Sequence, residues 1–315
     1  MSKDKEQKKE EQQKPLTFKQ KTLAFLKEFA IIFGLFLIIN NFVVASFLVP
    51  TGSMENEVMT GELLFVNKFI YGGTMPRNIQ QFDAIARILT LGQFGLPNVP
   101  LPWFRLPALS EVERGDVIVF EFPGYRDEVE AKEFQFYLKR CMALPGDTLL
   151  IKDRIVYVNG QMLPIPRNIK YEMDFVPSEI DKMNTFPVNA GWTKDNYGPL
   201  VIPKEGMVIP LNPENYAQWE TFIKREGHTA NMDAGIIRID GVPSTSYTVE
   251  KDYLFGMGDN RNNSLDSRYW GFIPKENLVG TPMIVYWSWN SDLPIYDIFG
   301  RLASVRWGRI GSLIK

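Results

Sequence analysis

The stretch from Gly258 to Gly271, GDNRNNSLDSRYWG, is the most distinctive in the chain. Its acidic and amide residues raise the possibility of a calcium loop. The EF-hand pattern needs Asp or Asn and then Gly where this chain has Arg261 and Ser264, so that interpretation fails. Another explanation is needed, and two earlier segments supply it.

These two segments carry candidate chemistry. One is Val49-Pro50-Thr51-Gly52-Ser53-Met54, and the other runs from Tyr137-Leu138-Lys139-Arg140 to Leu144-Pro145-Gly146-Asp147. Taken alone, a loop serine is usually solvated and a lysine is usually a surface cation. Together with residues 258–271, however, they occur in the order and with the residue pattern of a known family.

The sequence closely resembles the type I signal peptidases, or leader peptidases, which are membrane-bound serine proteases with a Ser/Lys dyad. The resemblance covers the apolar N-terminal segment and residues 50–71, 114–160 and 252–310. It implies an endopeptidase that removes signal peptides from secreted precursor proteins after small residues, as in Ala-x-Ala. It implies no cofactor.

Carried over position by position, the resemblance makes Ser53 the nucleophile and Lys139 its general base. It places the oxyanion at the backbone N–H of Ser53 and the hydroxyl of Thr51. Ser264 is expected to hydrogen-bond the Lys139 amine and fix its direction. The remaining implied residues pack against the lysine stem or support the site: Phe120, Tyr137, Asp259, Asn260, Arg261, Asp266 and Arg268.

The proposed chemistry independently requires a buried lysine. A free lysine has a pKa of about 10.4, so it accepts a serine proton near neutral pH only where burial lowers that pKa by several units. In a strand, Tyr137, Lys139 and Cys141 share one face. Phe134, Phe136 and Leu138 precede or surround them, so the sequence supplies apolar walls for the amine.

Composition leaves few other ways to do chemistry. The chain has one cysteine, Cys141, and one histidine, His228. Neither an intrachain disulfide nor a Cys/His zinc site or His-rich metal centre can therefore form. A Cys/His protease pair is the rival. We expect instead that Cys141 packs beside the lysine and that His228 lies on an exposed insertion where nothing orients its ring.

Charge is nearly balanced, with 35 basic and 37 acidic side chains and a formal charge of −2. A nucleic-acid-binding domain usually carries a strong basic excess. The balance therefore argues against a nucleic-acid partner.

The N-terminal region predicts a membrane anchor. No charge occurs between Glu28 and Glu55, and those residues would span about 39 Å as a helix, more than the roughly 30 Å hydrocarbon core. We predict a cytoplasmic tail over 1–28 and a transmembrane helix over 29–49 that Pro50 ends. A cleaved signal peptide and a buried core helix are the alternatives, although the run is too long for the first and too uniformly apolar for the second.

Eight lysines precede the span, so the positive-inside rule places the N-terminus in the cytoplasm. We therefore expect a single-pass protein of the cell (inner) membrane, with residues 50–315 forming a catalytic domain on the periplasmic or extracellular side. The lipid bilayer and precursor proteins carrying signal peptides are its expected partners.

The domain after Pro50 is predicted to be mainly β. Short apolar runs, including residues 117–120, 134–144, 155–158 and 236–239, are bounded by turn signals, and the last two lead into Asn159-Gly160 and Asp240-Gly241. No convincing helical repeat appears. Two insertions stand out: residues 73–110, which are apolar and Pro-rich, and residues 161–247, an inserted β subdomain. Ile88-Leu89 to Phe94, with Trp103-Phe104, suit either core packing or an interfacial membrane contact.

The sequence thus predicts a membrane-anchored signal-peptidase-like β domain. A catalytically silent, membrane-anchored β domain that binds precursors is the alternative from another class. Retention of Ser53, Lys139 and Ser264 together argues against it. A relative that processes one dedicated substrate is a second alternative.

Overall fold

The computed structural model describes residues 17–82, 95–97, 99–171, 185–294 and 296–315. It begins with helix α1 (Phe18–Phe42), which has a capping box: the Thr17 hydroxyl accepts from the backbone N–H of Gln20, and the Gln20 side chain accepts from that of Thr17. No residue of α1 is buried, and the helix is long and apolar enough to cross a membrane. Its 25 residues extend over about 37 Å.

The structure of the apolar run differs from the single helix that was predicted over 29–49. Helix α1 begins earlier and ends at Phe42, and strand β1 (Val44–Leu48) follows. Strand β1 pairs antiparallel with β2 (Glu62–Asn67). A continuous apolar run suits a helix or a buried strand equally, and the hydrogen bonds that β2 offers decide the outcome. The β domain therefore begins before Pro50.

The remaining elements form two lobes, and the chain passes from the first to the second after β4 and returns with β14. In chain order they are β3 (Val117–Glu121), β4 (Phe136–Ala143), β5 (Thr148–Lys152), β6 (Ile155–Val158), β7 (Gln161–Met162), β8 (Tyr197–Val201), β9 (Val208–Pro210), α2 (Tyr216–Arg225), β10 (Ala230–Asp233), β11 (Ile236–Ile239), β12 (Val242–Pro243), β13 (Ser246–Thr248), β14 (Tyr253–Met257), α3 (Ser267–Trp270), β15 (Ile273–Pro274), β16 (Leu278–Ser288) and α4 (Ile298–Ala303). The mainly β prediction is confirmed.

The first lobe is a seven-stranded antiparallel sheet in the order β1-β2-β16-β3-β4-β14-β15. The sheet curls, because Phe47 of β1 meets Phe136 of β4 edge-on, with ring centroids 5.0 Å apart, although three strands separate β1 from β4 in that order. Curling brings the turn after β1 towards the middle of β4. Ser53 lies in that turn, and Lys139 lies in the middle of β4.

The second lobe contains a four-stranded sheet in the order β7-β6-β5-β8, a three-stranded sheet in the order β10-β11-β12, and the pair β9-β13. Its sheet crosses the boundary predicted at residue 161, since β5 and β6 precede that residue. Helix α2 is a correction to the expectation of strands alone. Its apolar residues Tyr216, Trp219, Phe222 and Ile223 recur at helical spacing, which is the signal that sequence reasoning overlooked.

Two predicted hairpin turns are confirmed. Asn159-Gly160 joins β6 to β7, and Asp240-Gly241 joins β11 to β12. All four residues have positive φ, at 53°, 78°, 50° and 79° in that order. A two-residue type I′ turn requires this left-handed backbone at both positions.

The apolar insertion 73–110 is attached to the end of α1. The Phe104 ring stacks on that of Phe42, with centroids 5.8 Å apart. The Arg105 guanidinium donates to four backbone carbonyls, those of Tyr71, Gly72, Glu276 and Leu278. Ile88-Leu89 to Phe94 lie outside the described residues, and a membrane contact of the insertion stays a prediction.

Candidate active site

Ser53 lies in one turn of 3-10 helix, Gly52–Met54, directly after β1. The chain is still fixed to the sheet just before the turn, because the Val49 N–H donates to the Glu62 carbonyl over 2.9 Å. Met54 is buried in the apolar core, whereas Ser53 is partly accessible. The turn therefore has an anchored apolar side and a serine that faces the cleft beside β4.

Lys139 lies on β4 opposite Ile118 and is only 4% exposed. Its Nζ donates a hydrogen bond to Ser53 Oγ over 2.7 Å. Gly256 of β14 leaves room for the lysine stem, since a Cβ at that position would lie 3.1 Å from Lys139 Cβ. The structure thus brings together the two residues that the sequence singles out.

Burial lowers the pKa of the Lys139 amine from 10.5 to about 8. The main cause is loss of hydration, which disfavours the charged form. The positive charge of Arg268 adds to the lowering, while the carboxylates of Asp266 and Asp259 oppose it. The amine is therefore neutral at pH 7 in a larger fraction of molecules than a free lysine would be.

An aromatic wall produces this burial. Lys139 Nζ lies 5.5 Å from the centroid of the Tyr137 ring, which stacks on Phe122 at 4.3 Å. Phe120 meets Tyr137 at 6.3 Å and Trp270 at 5.9 Å, so it lies behind the tyrosine. Water has little access to the lysine from this side.

The two carboxylates of segment 258–271 are held in buried ion pairs. Asp259 accepts both bonds of the Arg140 guanidinium, at 2.8 and 2.5 Å. Asp266 accepts from Arg268 at 2.9 and 2.8 Å and from the Gly258 N–H at 3.0 Å. Sequence reasoning missed Arg140. A charged residue next to Lys139 in an otherwise apolar strand was the available signal, because a buried charge needs a partner.

Asn260 fixes the main chain of the Ser53 turn. Its backbone N–H donates to the Ser53 carbonyl over 3.1 Å, and its side-chain amide donates to the Gly52 carbonyl over 3.2 Å. The neighbouring Arg261 instead donates to the Tyr171 hydroxyl over 3.2 Å. Of this predicted shell, Asn260 therefore has the most direct contact with the serine turn.

Ser264 makes no hydrogen bond to Lys139, whose amine donates to Ser53 Oγ. The Ser264 hydroxyl is buried and has no hydrogen-bond partner among the residues that the structure describes. It lies against Gly258, where an added Cβ would be 2.1 Å from Ser264 Oγ and 2.5 Å from the Ser53 carbonyl oxygen. The predicted role of Ser264 in directing the amine stays a prediction.

Ser53 and Lys139 line a cleft of about 330 Å³. Apolar side chains line most of the cleft, among them Phe47, Leu48, Leu64, Val119, Phe136 and Leu138. Thr51 also lines the cleft and is exposed, and its predicted oxyanion role stays a prediction. A larger cleft of about 800 Å³, lined by residues of 185–196 with Arg126 and Tyr269, contains neither Ser53 nor Lys139.

Cys141 and His228 lie in different surroundings. Cys141 is buried in the cluster with Phe120, and burial raises the pKa of its thiol. His228 belongs to the second lobe, where its Nδ1 bonds Asp240 over 2.6 Å and its Nε2 bonds Glu250 over 2.9 Å. These hydrogen bonds raise the pKa of His228. The expectation that nothing orients its ring was therefore wrong. The two groups that orient it are carboxylates and not the Cys141 thiol.

Among the residues that the structure describes, no three His, Cys, Asp or Glu side chains are grouped so that they could hold a metal ion. The polar groups beside Ser53 are instead a lysine, amides and ion-paired carboxylates. Such a set is suited to proton transfer and hydrogen bonding.

A family model described as signal peptidase, peptidase S26, matches residues 22–287. The match includes Ser53, Lys139 and the whole of 258–271. The chain belongs to the signal peptidase family. Members of this family are serine endopeptidases that cleave signal peptides, and their substrates are secreted precursors.

Two relatives named signal peptidase I match most of the chain. That of Helicobacter pylori strain 26695 is 26% identical over 294 residues, covering 87% of this chain and 85% of its own. That of Pseudomonas aeruginosa is 27% identical over 289 residues, covering 87% and 77%. A solved signal peptidase I from Enterococcus faecalis V583 is 22% identical and covers 55% of this chain and 97% of its own, with a TM-score of 0.25. The predicted family is therefore confirmed by sequence.

Proposed function

We propose that this chain is a signal peptidase I in which Ser53 is the nucleophile and Lys139 is the general base. The hydrogen bond of 2.7 Å between Lys139 Nζ and Ser53 Oγ carries the proposal, because it joins a partly accessible hydroxyl to an amine that burial has made less basic. When the amine is neutral, the direction of the bond reverses and the serine O–H donates to Nζ.

The reaction then proceeds in two steps. Nζ takes the proton of Ser53 as Oγ attacks the scissile carbonyl, and the ammonium returns that proton to the leaving amine as the peptide bond breaks. The acyl group is left on Oγ. The leaving amine is the new N-terminus of the mature protein, so the ester on Oγ carries the signal peptide. A water molecule then gives a proton to Nζ and attacks the ester, which releases the signal peptide with a free carboxyl group, and the ammonium returns that proton to Ser53 Oγ.

The Ser53 N–H and the Thr51 hydroxyl would stabilise the oxyanion. Removing one oxyanion donor typically costs about 10²–10³ in rate. Thr51→Val removes the hydroxyl but retains the side-chain shape, so it should lose that factor in kcat, whereas Thr51→Ser should stay active. Equal activity of the two variants would exclude the hydroxyl from the oxyanion site.

The cleft supports an extended substrate. Strand β1 is an edge of the sheet, and residues 136–138 of β4 lie beyond the stretch that pairs with β14. A precursor segment can add to such strand edges through main-chain hydrogen bonds. Alternate side chains of that segment point the same way, so the −1 and −3 residues would both face the cleft floor. Small residues at these positions, as in Ala-x-Ala, match this arrangement.

The proposed location of the protein in the cell rests on helix α1. We propose that the helix crosses the cell membrane with the tail in the cytoplasm and the β domain on the other side, where precursors emerge. Lys19, Lys21 and Lys27 in its first half support this orientation. Ser53 follows the helix by only eleven residues, so it lies near the membrane surface, where a signal peptide presents its cleavage site.

Cleavage of a precursor with Ala at −1 and −3 tests the proposal. The full chain in detergent should release the mature protein at that bond and should fail on a matched precursor with Phe at −1. Ser53→Ala should bind the precursor without cleaving it. Precursor binding with no cleavage by the wild type would favour the silent binding domain instead.

A further inference from the structure

The two carboxylates that follow Ser53 are both bound by one loop of the second lobe. Lys170 Nζ pairs with Glu55 over 2.9 Å, and the Asn168 amide donates to Glu57. This loop lies after β7 and outside the three stretches that carry the family resemblance beyond the membrane anchor. The second lobe thus contacts the serine turn directly.

The main chain of Lys170 is fixed as well. Its N–H donates to the Asp259 carbonyl over 2.9 Å, and its carbonyl accepts from the Arg261 N–H over 3.1 Å. The residue between those two partners is Asn260, which holds the Gly52 and Ser53 carbonyls. The Asn260 amide also donates to the same Glu55 oxygen, over 3.3 Å. Lys170 and Asn260 therefore both contribute to fixing the position of the serine turn.

The charge of Lys170 has little to do with holding the fold together. The side chains of Lys170 and Glu55 are 30% and 39% exposed, so water screens the pair, and such pairs contribute little to folding stability. Reaction rates are far more sensitive to position. A misplacement of about 1 Å in a reacting group can cost about 10²-fold in rate.

We infer that Lys170 is a positioning residue, whose ion pair with Glu55 fixes the Ser53 turn and so keeps Ser53 Oγ within reach of Lys139 Nζ. The inference rests on the proposed function, since it assigns Lys170 a role only if Ser53 and Lys139 react. It extends the site to a loop that the sequence did not indicate.

Steady-state cleavage of a short Ala-x-Ala peptide by the full chain in detergent tests this role. Lys170→Met should lower kcat roughly 10- to 100-fold, with KM and the melting temperature little changed, and Lys170→Arg should recover most of the loss. Lys224→Met is the matched control, because the Lys224–Glu220 pair has similar exposure, 34% and 37%, but belongs to α2. It should retain wild-type kcat.

Glu55 allows the same test from the other side. Glu55→Gln should lose a similar factor in kcat, and the double variant Lys170→Met/Glu55→Gln should be no slower than either single variant, because each single change already breaks the Lys170–Glu55 ion pair. If Lys170→Met fails to fold, Glu55→Gln and Lys170→Arg still decide the question.

Unchanged kcat in folded Lys170→Met would overturn the inference, as would a loss that follows the melting temperature or that arginine does not restore. Ser53→Ala, assayed in parallel, separates the two proposals. If Ser53→Ala is inactive while Lys170→Met is fully active, the positioning role fails and the dyad stands. If folded Ser53→Ala still cleaves, both fail.

Discussion

Lys139 Nζ donates a hydrogen bond to Ser53 Oγ over 2.7 Å although 86 residues separate them in the chain. Curling of the seven-stranded sheet brings the two together, and the aromatic wall of Phe120, Phe122, Tyr137 and Trp270 shields the amine from water. Fold and reactivity are therefore linked, because the packing that positions the lysine also lowers its pKa.

Activity should rise with pH through the lowered pKa of Lys139, about 8. The base must be neutral to accept the serine proton, so kcat/KM for a short peptide should increase about tenfold per pH unit well below that pKa and level off above it. Measurement from pH 5 to pH 10 would show this profile. A rate that is flat from acid to neutral pH would contradict lysine as the base.

The lowered pKa of Lys139 also makes the free energy of unfolding depend on pH. Between about 8 and 10.5 the unfolded chain holds a proton on Lys139 that the folded chain has lost. The contribution of this group to the free energy of unfolding should therefore increase as pH rises through that window. The difference between wild type and Lys139→Met in thermal unfolding at pH 7 and pH 10 would reveal it. Equal differences at both pH values would count against the lowered pKa.

Gly258→Ala should abolish most activity. The added Cβ would lie 2.1 Å from Ser264 Oγ and 2.5 Å from the Ser53 carbonyl oxygen, so the serine turn must move. Gly308→Ala is the control, because a Cβ there meets nothing within 4 Å. Peptide cleavage by both variants decides the point, and normal activity of Gly258→Ala would show that the turn tolerates displacement.

Deletion of residues 1–42 should retain peptide cleavage, whereas deletion of residues 1–49 should lose it. The shorter deletion ends where α1 ends, but the longer one removes β1 and its pairing with β2. It also removes the buried Ala45 and Val49. Thermal unfolding and peptide cleavage of both proteins would separate them, and equal activity would mean that β1 is dispensable.

The shorter deletion also tests delivery. A shared bilayer raises the effective concentration of enzyme and precursor, so this protein should lose far more activity on membrane-embedded precursor than on the peptide. Equal losses on the two substrates would show that α1 supports the active site itself.

The sequence predicted the dyad because the segments of Ser53 and Lys139 occur together with residues 258–271 in the order typical of the family, although neither segment is specific alone. Partners that depend on three-dimensional proximity could not be predicted. Nothing local connects Arg140 with Asp259 or Lys170 with Glu55, since each pair forms only when distant segments meet. The strand after Phe42 was missed for a similar reason, because its apolar residues suit a helix until β2 supplies hydrogen bonds.

The most direct test of the Ser/Lys dyad is kcat for peptide cleavage by Ser53→Ala, Lys139→Met and the double variant, each shown to be folded by thermal unfolding. Both single variants should be inactive, and the double variant should be no worse than either, because the two groups act as one unit. Substantial cleavage by folded Lys139→Met would contradict the dyad.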